Sequence, residues 1–128
     1  MEKEVFLEKF QEIKGIEKVY EIYPDFTFWG VFYHIISMRV ETVENKEEMR
    51  IEKNVVLTLD NMDHSIQGEF IFYDVSLFYM AGLDTLSGFE IDKNEDGTFA
   101  HGNNFLVVDY ANNALSFYCK AVEVARVK

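Results

Sequence analysis

The sequence predicts an α+β fold: an N-terminal amphipathic helix packed on a curved, mostly antiparallel sheet of about six to eight strands, in a single domain spanning residues 1–128. Three observations carry this. The first residues repeat their apolar side chains with helical spacing, whereas the rest of the chain alternates apolar and polar residues over short segments. The segments are separated by turn-forming Asp, Asn and Gly residues. Hydrophobic residues make up 48% of the chain and aromatics 16%, enough apolar material for one core at this length.

The elements follow in order. Phe6, Phe10 and Ile13, with Leu7 beside them, form one stripe of a helix over residues 3–14, and Glu2, Lys3, Glu8, Lys9, Glu12 and Lys14 form its wet side. Gly15 stands where a left-handed residue commonly closes a helix. Residues 16–23 read as a loop or short turn, broken by Pro24, which has no N–H to donate. From Phe26 the texture becomes that of a strand, and Ile36, Met38 and Val40 alternate with Ser37, Arg39 and Glu41, which predicts one wet face.

The charged run at residues 44–48 has nothing to bury and reads as a hairpin connection to a second alternation, Ile51, Lys53, Val55, Leu57, Leu59. Residues 60–64 are turn chemistry. A third strand is expected from Glu69 to about Tyr79, with Ile71, Tyr73, Val75 and Leu77 on one face. The Asp96-Gly97 step after Phe89-Glu90-Ile91 marks a hairpin with a strand on either side, and an apolar segment from Phe105 to Tyr110 follows. After a turn at residues 111–113, a last strand runs from Ala114 to Val127 with Leu115, Phe117, Cys119 and Ala121 on one side.

Charge narrows the function classes. The net charge is −11, which opposes nucleic-acid binding, since affinity for phosphates is drawn from Lys and Arg. The acid is unevenly placed: residues 54–119 hold ten acids against the single base Lys93. The charged N-terminus lacks the apolar run of a secretory signal, and the uncharged stretch 75–83 is too short to span a bilayer. A single cysteine cannot form an intrachain disulfide, and its apolar neighbours predict a buried thiol in a reducing compartment. A cytoplasmic protein with no membrane association is expected.

No catalytic motif stands out. Asp92-Lys93-Asn94-Glu95-Asp96-Gly97 matches the first half of a calcium loop, but position twelve is Asn103 where a bidentate Glu is needed, so a hairpin turn is the better reading. His34, His64 and His101 are far apart in sequence and none has the i, i+4 partner of a zinc helix. A metal assembled from His64 with Asp60 and Asp63 is weaker than the reading of those residues as a turn. No serine sits on a Gly-flanked elbow, and no Gly-rich phosphate loop is present. The expectation is no catalytic residue, no metal and no cofactor.

Several segments resemble the small immunity proteins of bacterial polymorphic-toxin systems, in particular the immunity protein fifty family. They are Tyr23-Pro24-Asp25-Phe26, Phe72-Tyr73-Asp74-Val75 with Leu77 and Phe78, Gly88-Phe89-Glu90-Ile91, and Leu115-Ser116-Phe117-Tyr118-Cys119-Lys120-Ala121. The resemblance implies a non-enzymatic cytoplasmic protein that neutralises a cognate toxin, and it transfers no individual functional residue. A basic partner protein would suit an anionic surface. The turn and strand acids Asp60, Asp63, Glu69, Asp92, Glu95 and Asp96 are the expected contacts. The alternative is a small apolar-ligand module in which the aromatic stretches 26–33 and 70–79 enclose a cavity, or a domain with a purely structural role.

Overall fold

Alternating apolar side chains can be buried only if a second layer covers the face they share, and here two sheets do this for each other. The computed structural model describes residues 13–22, 24, 32–61, 63–81, 86, 88–94, 104–111 and 113–128. One short helix, α1 (Glu17–Ile22), precedes eight strands: β1 (His34–Asn45), β2 (Arg50–Asp60), β3 (Gln67–Tyr73), β4 (Ser76–Met80), β5 (Phe89–Lys93), β6 (Phe105–Asp109), β7 (Leu115–Cys119) and β8 (Ala121–Val127). The first sheet has the order β1-β2-β3-β8 and the second β4-β7-β6-β5. Every pairing between these strands is antiparallel.

The two sheets share a bent ribbon. The predicted third strand does not run unbroken to Tyr79; it stops at Tyr73 and resumes at Ser76, and Asp74 between them takes a left-handed φ of 55°. Opposite this bend the last strand is also interrupted, at Lys120, whose N–H donates to the Tyr73 carbonyl at 2.8 Å. The interruption shifts the side-chain alternation by one. Leu115, Phe117 and Cys119 are buried, and then Val122 and Val124, so Ala121 does not continue the predicted face. Strands that change sheet at a bend form the corner of the fold.

The core lies between the sheets. Phe32, Phe70, Phe72, Phe89 and Phe117 are among its largest fully buried side chains. Phe72 of the first sheet meets Phe117 of the second edge-on at 5.1 Å, and Phe32, just before β1, meets Phe70 edge-on at 5.3 Å, the geometry that ring quadrupoles favour. Cys119 is fully buried here, and burial pushes its thiol pKa up.

At the N-terminal end the helix expected over residues 3–14 lies mostly outside the described residues, and its last turn is corrected. Lys14 is extended: it donates to Val122 O at 3.1 Å and accepts from Val124 N at 2.7 Å, a bridge to the free side of β8. Gly15 is left-handed as expected, at φ 81°, but it opens a helix instead of closing one. A Cβ there would sit 2.6 Å from the Val124 carbonyl oxygen. The residues read as a loop form α1, because Ile16, Val19 and Tyr20 bury one side at i, i+3 and i+4. Among the described residues no helix is long and apolar enough to cross a membrane.

Candidate functional site

Two places stand apart from the core: an arm formed by the outer part of the β1–β2 hairpin, and a polar cluster at the hairpin's base. In the arm the apolar alternation is present but uncovered. Ile36, Val40 and Ile51 are 50%, 56% and 64% exposed, and Met38, Val43 and Met49 are exposed as well. Among the described residues β1 pairs only with β2, so its outer edge offers open backbone groups.

The arm keeps its shape through polar contacts. Lys53 Nζ donates to Thr42 Oγ1 at 2.6 Å and Asn45 Nδ2 to Glu52 Oε1 at 2.9 Å. The turn at residues 46–49 is closed by Glu48 N donating to Asn45 Oδ1 at 3.1 Å. Arg50 is the hinge pin: its guanidinium binds both carboxylate oxygens of Asp74 at the ribbon bend and also reaches Glu48 at 2.7 Å and Glu52 at 3.0 Å. An open concavity of about 580 Å³ lies beside this tip, lined by Thr42, Glu44, Lys46, Met49, Arg50 and Ile51.

At the base, β1 begins with His34 directly opposite Asp60, the last residue of β2. A β-bulge makes this pairing. An unbroken hairpin register would set Ile35 against Asp60, but the extra residue at Ile36 shifts the strand so that His34 stands there. Ile35 pairs with Leu59 on the core side, so His34 and Asp60 face the other way. The loop that follows folds back on itself, with Asn61 N donating to Ile66 O and Ile66 N to Asn61 Oδ1, each at 3.1 Å. Inside it His64 takes a left-handed φ of 63°, uncommon without glycine. Its Nδ1 lies 2.5 Å from Asp60 Oδ2, and its ring stacks on His34 at 5.3 Å.

The acids expected to contact a partner do not gather into one face. Asp60 is only 5% exposed and turned toward His64. Asp63 is exposed in the same loop, where hydrogen bonds from Ser65 lower its pKa. Glu69 lies half-buried on β3, 4.0 Å from Arg126. Asp92 is in the other sheet and accepts from the Tyr110 hydroxyl at 2.6 Å. Glu95 and Asp96 lie outside the described residues, as do the Asp96-Gly97 turn and the rest of the calcium-like loop, although β5 and β6 pair as the two sides of a hairpin. Other acids of the 54–119 stretch serve the fold: Asp74 holds Arg50, and buried Asp109 accepts from Gly88 N at 2.8 Å.

Of the aromatic stretches proposed as a cavity wall, Phe70 and Phe72 fill the core, and residues 26–31 lie outside the described residues. The reading from sequence missed His34 as a neighbour of Asp60, because the bulge that joins them leaves no mark in residue type. The alternation of Ile36, Met38 and Val40 with polar residues predicts one wet face, whereas in the structure these apolar side chains are exposed as well. Their one warning was the run of nearby charges, Arg39, Glu41, Glu44, Lys46, Glu47 and Glu48.

No protein-family model, curated protein or solved structure matches the chain.

Proposed function

We propose that this chain is a non-enzymatic, acidic binding protein that docks a basic partner protein with the β1–β2 arm, in the manner of an immunity protein neutralising its toxin. The observation that supports it is the arm itself. Six apolar side chains, Ile36, Met38, Val40, Val43, Met49 and Ile51, remain exposed on one hairpin whose outer edge is unpaired among the described residues. Met38, Val40 and Ile51 share one face of the hairpin and Val43 lies on the other; exposed apolar side chains gathered on one element of a small domain mark an interaction site, and an open edge can accept a strand from a partner.

The net charge of −11 adds a long-range term. It attracts a basic partner and raises the encounter rate, and that effect weakens as salt screens it. Contact through the arm then supplies the short-range affinity. The cytoplasm is the compartment where such a complex would form.

Co-purification with the protein encoded beside this chain is the direct test. A complex is expected at low salt, with an association rate that falls as salt rises, and Val40→Lys in the arm should weaken it at least ~10-fold, since a buried unpaired charge at an interface is costly. No complex at low salt, or one indifferent to Val40→Lys, would remove this function.

A further inference from the structure

We infer that His34, Asp60 and His64 form a binding site for a zinc-class divalent cation. One donor atom from each side chain lies within 4.8 Å of the other two. Tetrahedral zinc with bonds of about 2.0–2.1 Å holds its ligands roughly 3.4 Å apart, so side-chain rotations that open the 2.5 Å contact of His64 Nδ1 with Asp60 Oδ2 and set all three donors at that spacing complete three of four positions. His64 can supply that movement, because its side chain is 66% exposed.

A second observation points the same way. Asp60 Oδ1 is buried and has no hydrogen-bond partner among the described residues. A buried carboxylate oxygen left without a partner is unfavourable, and it is the kind of hard donor that a cation satisfies. Two imidazoles and one carboxylate select zinc and its neighbours in the transition series over calcium or magnesium, which prefer all-oxygen shells. The fourth position would face solvent on the His64 side and take water. The bound ion would tie the first residue of β1 to the loop after β2 at the base of the arm.

The test uses the full chain freed of metal, titrated with ZnCl2 by calorimetry and with Co2+ by visible absorption. One equivalent of zinc should bind with a micromolar or tighter Kd, Co2+ should give the intense bands of a four-coordinate site, and millimolar Mg2+ should not compete. A hundredfold excess over Kd should raise Tm by roughly 10 °C. His34→Gln and His64→Asn, the latter tolerant of a left-handed backbone, should each weaken binding at least ~10-fold, whereas His101→Gln should leave it unchanged. On the unaltered chain, NMR of the imidazole nitrogens should show two of the three histidines shifted by zinc, a readout independent of variant folding. Absence of binding by folded protein overturns the site. So does binding at several equivalents, binding displaced by Mg2+, or an NMR response that leaves His34 and His64 unmoved.

Discussion

One strand shows two fates. In β2, Val55, Leu57 and Leu59 are buried to 2%, 0% and 0% exposure, whereas Ile51, on the same face of the same strand, is 64% exposed. Alternation therefore reports which residues share a face and not whether anything covers that face. The inner half of β2 is covered because the β3–β4 ribbon bends at Asp74 and brings the second sheet over it. The outer half extends past the bend, where backbone pairing, Arg50 and short cross-strand hydrogen bonds hold it instead.

The largest expected effect is in the covered part. Phe72→Ala should cost about 3–5 kcal/mol, measured by equilibrium denaturation, because that ring is fully buried and joins the sheets through Phe117. A loss below about 1 kcal/mol would mean that the sheets are not packed as described. Next comes Gly15→Ala, expected to cost roughly 1–3 kcal/mol, since it forces an L residue to φ 81° and places a Cβ against the Val124 carbonyl. An unchanged midpoint would argue against the Lys14 bridge to β8.

Alkaline pH examines the ribbon where it meets the arm. The hydrogen bond from Tyr73 to Glu123 Oε1 at 2.5 Å, aided by burial, pushes the phenol pKa up to about 12, and Tyr110 is pushed up to about 12 chiefly by its bond to Asp92. An unfolded tyrosine ionises near 10. The folded state thus holds these protons more tightly, so their stabilisation is complete below pH ~10 and is lost as pH rises toward 12. Tyr73→Phe should flatten the fall in stability between those limits; an identical slope would show that the contact does not persist in solution.

Smallest on stability are the arm residues. Ile51→Ala should shift stability by no more than about 0.5 kcal/mol, and a cost like that of Phe72→Ala would show that the arm is covered after all. Arg50→Met should act locally, speeding amide exchange across residues 42–52 while the core amides keep their protection. Uniformly faster exchange would instead make Arg50 a support of the whole fold.

Much of the architecture was legible in the residues. The β1–β2 hairpin, the turn after Leu59, the β5–β6 pairing and the burial of Cys119 follow from alternation, turn chemistry and apolar context. What was not legible depends on backbone events that any residue type permits. The bends at Asp74 and Lys120 split two strands that read as continuous, and the bulge at Ile36 joins His34 to Asp60. The short helix α1 escaped because its six residues show less than two turns of periodicity. The candidate site was half visible, as Asp60 and His64 in one turn, and its other half came from pairing register.

The shared ribbon also has a kinetic meaning. Since β3–β4 and β7–β8 each belong to both sheets, neither sheet can complete its pairing until residues near 73 find those near 121. Closing so long an intervening chain is entropically slow. Folding of the described strands should therefore wait on that one encounter and occupy milliseconds to seconds, whereas the β1–β2 hairpin, joined by a four-residue turn, can zip and unzip in microseconds on its own.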